Sequence, residues 1–448
     1  MPVRTPALKP ASTALCLISV LAGGLVLLPC APASAGTVAH PRVVSARPVA
    51  TTPHVLDGIV NAFALVGRTV VVGGEFGEVR EARGTTTLRR RNLFAFDLVT
   101  GRVDPRFAPE VDGPVRALAA GPGGTVYVGG GFASAGGPGS GPDSGSDSGS
   151  GSGSGSGGTQ SLARLSVADG SPAPGFAGRI RGGEVSSLAL QGSKLYVGGD
   201  FDGVGQTSRP ALARLDAATG ELDPAFTVTP GGPRGGTLKV YAMAATRDRL
   251  AVDGSFTTLD GRRRPQVGLI DIGAARPAVA PWHTEAYADA CKDAFPSYVR
   301  GLDFSPDGEY FVIVTTGGAK GTSKLCDSAA RFETYSRGAA IRPTWINFTG
   351  GDSLYSVAVT GAAVYVGGHQ RWLDNPRGSD TAGPGAVSRP GIGAIHPATG
   401  KALTWNPTRD RGIGVKAFLA HKGGLLVGSD TTHLGHEYHA RVGMFPLP

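Results

Sequence analysis

The chain has 448 residues, 71 of them glycine, with 41% hydrophobic and only 17% charged residues and a formal net charge of +8. Charge is sparse, glycine is abundant and the mean hydropathy is −0.01, which excludes a coiled coil, a multispan membrane protein and a wholly disordered chain. The length suits two or three average domains or one large repeat array.

Residues 1–35 read as a secretory signal peptide. Arg4 and Lys9 give a weakly positive start, an apolar run follows from Ala14 to Leu28, and Ala33-Ser34-Ala35 is a small-x-small cleavage site. The apolar run is shorter than the ~20 residues of a membrane span. Cleavage would take away two of the 43 basic residues and none of the 35 acidic ones. Cys16 and Cys30 would leave with the signal. Cys291 and Cys326 remain, and two cysteines in an exported protein favour one disulfide between them.

A segment at 36–54 precedes a repeat of about 57 residues that fills 55–448. The repeats open on Val-x-Ala-Leu-Ala, as at Val115–Ala119, at Val185–Ala189 with Ser at the third place and at Val240–Ala244 with Met at the fourth, and in diverged form at Val415–Leu419. Variants start at Val60, Val299 and Leu354. A glycine- or aspartate-containing turn leads to a second strand such as Val126-Tyr127-Val128-Gly129-Gly130, a hairpin signal. A third strand follows, as in Leu212–Asp216. Beyond it an aromatic recurs six residues after a glycine, at Phe107, Phe176 and Phe226, with Trp282, Trp345 and Trp405 in the later copies.

Seven such units predict an all-β, seven-bladed β-propeller, each blade covering its neighbour's face. The seventh unit stops at its third strand, so Val43–Thr51 is expected to supply an outer strand beside 441–446 and close the ring. The Gly-Gly after the second strand is expected to allow close backbone approach. Residues 136–158 consist of Gly, Ser, Pro and Asp alone. They interrupt the second blade as a disordered Gly/Ser-rich insertion.

At Tyr196–Phe201 and Leu212–Phe226 the chain resembles the bacterial secreted β-propeller proteins built from delta-60-type repeats. That resemblance implies a propeller fold and export, and implies no reaction. A more distant likeness is to quinoprotein dehydrogenases. Asp216-Ala217-Ala218-Thr219-Gly220 fits the start of their repeat, but Phe226 replaces the tryptophan, and the adjacent-cysteine pair of the alcohol dehydrogenases is absent.

Two groups of candidate site residues stand out. Asp430, His433, His436 and His439, with Glu437 among them, carry imidazole and carboxylate groups that suit a divalent metal. No second motif accompanies them, so no cofactor is predicted. Asn61, Arg116, Ser186, Tyr241, Arg300, Tyr355 and Lys416 occupy one equivalent position per blade on the strand expected to be innermost. They predict a polar ring near the channel, with three cations that suit an anionic ligand. His369-Gln370-Arg371-Trp372 replaces the x-Phe of other blades. Ala274–Glu333 departs most from the repeat and is a second candidate recognition region.

There is no nucleophile elbow, HExxH, phosphate loop or paired-acid motif, and no aromatic–basic signature of a nucleic-acid binder. The primary expectation is a secreted, extracellular, monomeric and non-enzymatic binding or scaffold module for an extracellular protein or cell-wall glycan. The alternative is an extracellular lyase, glycoside hydrolase or metal-dependent hydrolase with its site at the channel mouth. Histidines gathered beside Arg116, Arg300 or Lys416 would favour the enzyme.

Overall fold

Runs of valine, leucine and tyrosine separated by two- to five-residue turns leave the backbone no helical period to follow, and they pair as antiparallel strands. The computed structural model describes residues 38–136, 161–292, 295–338 and 340–448. The expected signal peptide at 1–35 and all of the Gly/Ser insertion except Gly136 lie outside the described residues. Among the described residues there is no helix, and none long and apolar enough to cross a membrane. The described residues are all-β.

Seven sheets share one plan: two strands in a tight hairpin and a third antiparallel to the second. Their hairpins begin at Ile59–Val66, Val115–Gly121, Val185–Gln191, Val240–Ala245, Val299–Phe304, Leu354–Val359 and Ala417–His421. Each of these first strands lies beside the first strand of the next sheet, and Ala417–His421 lies beside Ile59–Val66. The fourth sheet has a short fourth strand at Ala278–Val279, and the fifth has one at Trp345–Phe348. In sheets one, two, three and six that edge shrinks to single bridges such as Phe96–Val103 and Leu215–Leu222.

The core lies between successive sheets. Val71 and Ala95 of the first pack with Val115 and Val126 of the second, and Val60 and Val70 of the first pack with Ala417 and Leu426 of the seventh. One contact recurs. The valine that opens a sheet sits on the first glycine of the preceding Gly-Gly. A Cβ on Gly73, Gly129 or Gly198 would lie 2.5–2.7 Å from Val115, Val185 or Val240. Gly367 stands so to Val415, and Gly428 to Val60. These five valines are fully buried, a contribution of about 1.5–3 kcal/mol for each such side chain. The later tryptophans tie sheets together as well. Trp282 Nε1 donates to Glu333 O at 3.1 Å, Trp345 Nε1 to Pro397 O at 2.7 Å and Trp405 Nε1 to Ser45 O at 3.0 Å.

The N-terminal segment runs along the seventh sheet. Ser45 N donates to Pro446 O at 2.8 Å and Val49 N to Met444 O at 2.9 Å. Thr52 Oγ1 donates to Val442 O at 3.3 Å. Four buried histidines line this seam. His40 Nε2 donates to His421 O at 2.9 Å, and the rings of His54 and His439 are 6.3 Å apart. Burial lowers the pKa of all four. That of His54 falls to about 4, helped by His439 and Arg80, and that of His421 to about 4, helped by His40. Glu437 opposes the shift at His439.

Two outcomes are expected. Gly129→Ala pushes a methyl group against Val185 and should cost about 1–3 kcal/mol. Combined with Val185→Ala it should recover part of that loss in a denaturant cycle, whereas simple addition of the two losses would contradict the contact. The seam histidines take up protons more readily when the seam is open. Stability should therefore be full above pH 6.5 and fall as pH drops towards 4. His54→Gln and His421→Gln should flatten that slope, and an unchanged slope would remove the histidines as its cause.

Candidate functional site

The opening Val-x-Ala of each repeat produces a local backbone irregularity. In six sheets the register of the first two strands shifts by one residue, between Val60 and Ala62, Val115 and Ala117, Val185 and Ser187, Val240 and Ala242, Val299 and Gly301, and Leu354 and Ser356. The extra residues are Asn61, Arg116, Ser186, Tyr241, Arg300 and Tyr355. A bulge of this kind turns a side chain out of the pleat. Lys416 holds the equivalent place just before Ala417–His421. In four of these sheets the second glycine of Gly-Gly lies tight against the bulged strand, whereas the fifth sheet bulges opposite Thr315. A Cβ on Gly74, Gly130, Gly199 or Gly368 would collide with the backbone oxygen of Ile59, Pro114, Glu184 or Ser353.

The seven side chains meet different surroundings, and each is half-buried. Asn61 Nδ2 donates to Val115 O at 3.1 Å, bridging two sheets. Arg116 lies between Glu75 at 3.5 Å and Glu184 at 3.4 Å. Ser186 Oγ is buried with no hydrogen-bond partner. Arg300 stacks over Tyr241, 5.0 Å from the ring centre, and donates to Val299 O at 2.7 Å and Ser297 O at 3.2 Å. Lys416 Nζ lies 3.5 Å above the Tyr355 ring. Burial first, then the positive charge of Arg300 and more weakly of Arg116, brings the Lys416 pKa down to about 8 against the pull of Asp430.

A second set of residues at this end was not read as a set from the sequence, although Asp430 was named there as a metal candidate and His369 as part of His369–Trp372. It occupies the x of Gly-Gly-x-Phe: Glu75, Asp200, His369 and Asp430, aligned by the strand register. Asp200 takes Lys239 at 3.2 Å, and Lys239 also reaches Glu184 at 2.9 Å. Asp430 accepts from Ile413 N at 2.6 Å and Gly414 N at 3.0 Å. His369 Nδ1 donates to Ile413 O at 3.2 Å, its Nε2 accepts from Ser353 N at 3.2 Å, and burial lowers its pKa. The repeat position itself is the sequence signal for this set.

The candidate metal ligands are not gathered. Asp430 accepts from the backbone of Ile413 and Gly414, whereas His433 pairs with Asp410 at 2.8 Å. His436 lies 3.3 Å from Thr408 Oγ1, and His439 turns to Thr52 Oγ1 at 3.2 Å and to Glu437 at 3.6 Å. Among the described residues no group of three or more His, Cys, Asp or Glu side chains is arranged to hold a metal ion. The reason is local. His433–Leu434 and Glu437–Tyr438 form a tight hairpin turning at Gly435 and His436, and alternation splits its side chains between two faces. Val204–Thr207 and Leu259–Arg262 form the same small hairpin in other repeats.

Cys291 and Cys326 form a disulfide with Cα atoms 5.8 Å apart. It fills the space that the Phe of Gly-Gly-x-Phe fills elsewhere. Gly317 takes that position here, and a Cβ on it would lie 2.5 Å from Cys291 Cβ. Much of the candidate region Ala274–Glu333 is the fifth sheet itself. Arg371 stacks on Trp372 at 4.4 Å and forks onto Asp352 at 2.7 and 3.0 Å, which commits it to a neighbouring loop.

No protein-family model matches the chain, and no curated protein matches it. Among solved structures, the computationally designed Ika8 protein is similar with a TM-score of 0.46 and 13% identity, over 92% of this chain and 100% of that one. The WD40 β-propeller domain of Doa1 is similar with a TM-score of 0.48 and 10% identity, over 92% of this chain and 96% of that one.

Lys416 should titrate with a midpoint near 8 when its side chain is followed by NMR. Arg300→Met removes a neighbouring positive charge and should raise that midpoint. A midpoint left unchanged by Arg300→Met would show that Arg300 and Lys416 are not coupled.

Proposed function

We propose that this chain is a secreted, seven-bladed β-propeller of the delta-60-repeat kind that acts without catalysis, as a binding module for an extracellular protein or cell-wall glycan. In this reading residues 1–35 direct export and residues 36–54 close the ring along the seventh blade. The Ser45–Pro446 and Val49–Met444 backbone hydrogen bonds support the closure. The buried disulfide is compatible with an oxidising compartment.

The observation that carries the reading is the ring of bulged residues. A bulge repeated in six sheets, with Lys416 at the equivalent place in the seventh, presents seven side chains of five residue types at one end of the first strands. A rigid frame carrying variable side chains at one rim is how loops and edges of repeat folds serve recognition. Ile413 adds an apolar contact there, being 57% exposed and joined through its carbonyl to His369.

The test is a thermal-shift and binding screen of the purified chain against cell-wall polysaccharides and secreted proteins. A ligand at 100 times its Kd should stabilise by about 2.7 kcal/mol. The shift should disappear in Ile413→Trp, which crowds the mouth without touching the core. Ligands that bind Ile413→Trp as well as they bind the unmodified chain would place recognition elsewhere and defeat the reading.

A further inference from the structure

The bulged ring is not electrostatically uniform. On one side its cations are already neutralised: Arg116 lies between Glu75 and Glu184, and the neighbouring Lys239 lies between Glu184 and Asp200, all at 2.9–3.5 Å. On the other side, among the described residues, Arg300 and Lys416 have no carboxylate within ion-pair distance. Arg300 has two backbone carbonyls and the Tyr241 face, and Lys416 has the Tyr355 face.

The nearby acids are otherwise engaged. Asp430 is held by two backbone N–H groups. Asp253 is fully buried at the position where other sheets carry the glycine that receives a valine, and it accepts from Ala242 N at 2.9 Å. Burial lifts its pKa to about 8, so near neutral pH it is mostly uncharged and does not balance Arg300. The result is two like charges held near one another in a half-buried rim. Among the described residues neither has a carboxylate at ion-pair distance, Asp430 acting on Lys416 only from further off, and each is confined by an aromatic face. Such an arrangement is costly in the free protein and is relieved by an anion.

We propose that Arg300 and Lys416, flanked by Tyr241 and Tyr355, form an oxyanion subsite that takes a carboxylate or phosphate group of an acidic extracellular glycan lying across the channel mouth. The inference rests on the reading of that mouth as the binding end and names the chemistry of its ligand. Arg300 offers planar N–H donors and Lys416 a mobile ammonium, the usual pair for such a group. The unpartnered Ser186 Oγ is a further polar group on the same ring. Arg116 contributes little in this account because two glutamates already flank it.

The experiment is calorimetric titration of the purified chain, at low salt, with an oligogalacturonate, a glycerol-phosphate oligomer and a neutral oligosaccharide. At least one acidic oligomer should bind and the neutral one should not. Binding of the uronate alone assigns a carboxylate, and binding of the phosphate oligomer alone assigns a phosphate. Arg300→Met and Lys416→Met should each weaken binding by roughly tenfold or more. Lys416→Arg should restore most of it, and Arg116→Gln should change it little. Failure of both acidic oligomers to bind, or equal binding by the Met variants with unchanged melting, would overturn the proposal. A neutral glycan or a protein whose binding is lost in Ile413→Trp but kept in both Met variants would overturn it while leaving the mouth as the binding end.

Discussion

A valine seated on a glycine of the neighbouring sheet is the contact on which the rest of this structure depends. A three-stranded sheet has two faces to cover, and here each face is covered by the next copy of the same sheet. The approach is set by the missing side chain of Gly73, Gly129, Gly198, Gly367 and Gly428, into whose space Val115, Val185, Val240, Val415 and Val60 fit. The last of these pairs joins the seventh sheet to the first. The fourth and fifth sheets depart from the rule. Asp253 replaces the glycine in one, and in the other Val314 faces Gly301 across the hairpin, exchanging the large and small partners.

The same dipeptide has a second consequence. Its other glycine packs against the backbone of the bulged strand, and the bulge frees one residue from packing in each of six sheets. Packing therefore constrains the valine before it and the alanine after it, while the residue between them varies from serine to arginine. The frame is repetitive and the rim is not. The acids of the Gly-Gly-x-Phe position then decide which rim cations are neutralised, Glu75 and Asp200 on one side, and which are left with aromatic and backbone neighbours, Arg300 and Lys416.

Much of this was legible in the residues. Val-x-Ala marks the first strand, Val-Tyr-Val-Gly-Gly the second and Leu-Ala-Arg-Leu the third, because each packs in the same way in every copy. The Cys291–Cys326 pairing followed from counting cysteines outside the apolar N-terminal stretch. Other features were hidden. Five histidines and acids within ten residues look like a ligand set along the chain, but a tight hairpin with two-residue alternation sends them to Asp410, Thr408 and Thr52. The small hairpins of the linking loops escaped notice because their strands are only two residues long.

By itself the sequence determined the all-β character, the repeat and the residue that each repeat leaves variable. These follow from short-range rules: alternation, turn chemistry and the steric demand of glycine. Only the tertiary structure decided which of those variable residues share an environment. Arg116, Glu75 and Glu184 are up to 109 positions apart in the chain, and Arg300 and Lys416 are 116 apart, as their numbers give. Their charges act through space, so pairing at one and its absence at the other depend on how the sheets are arranged about one another.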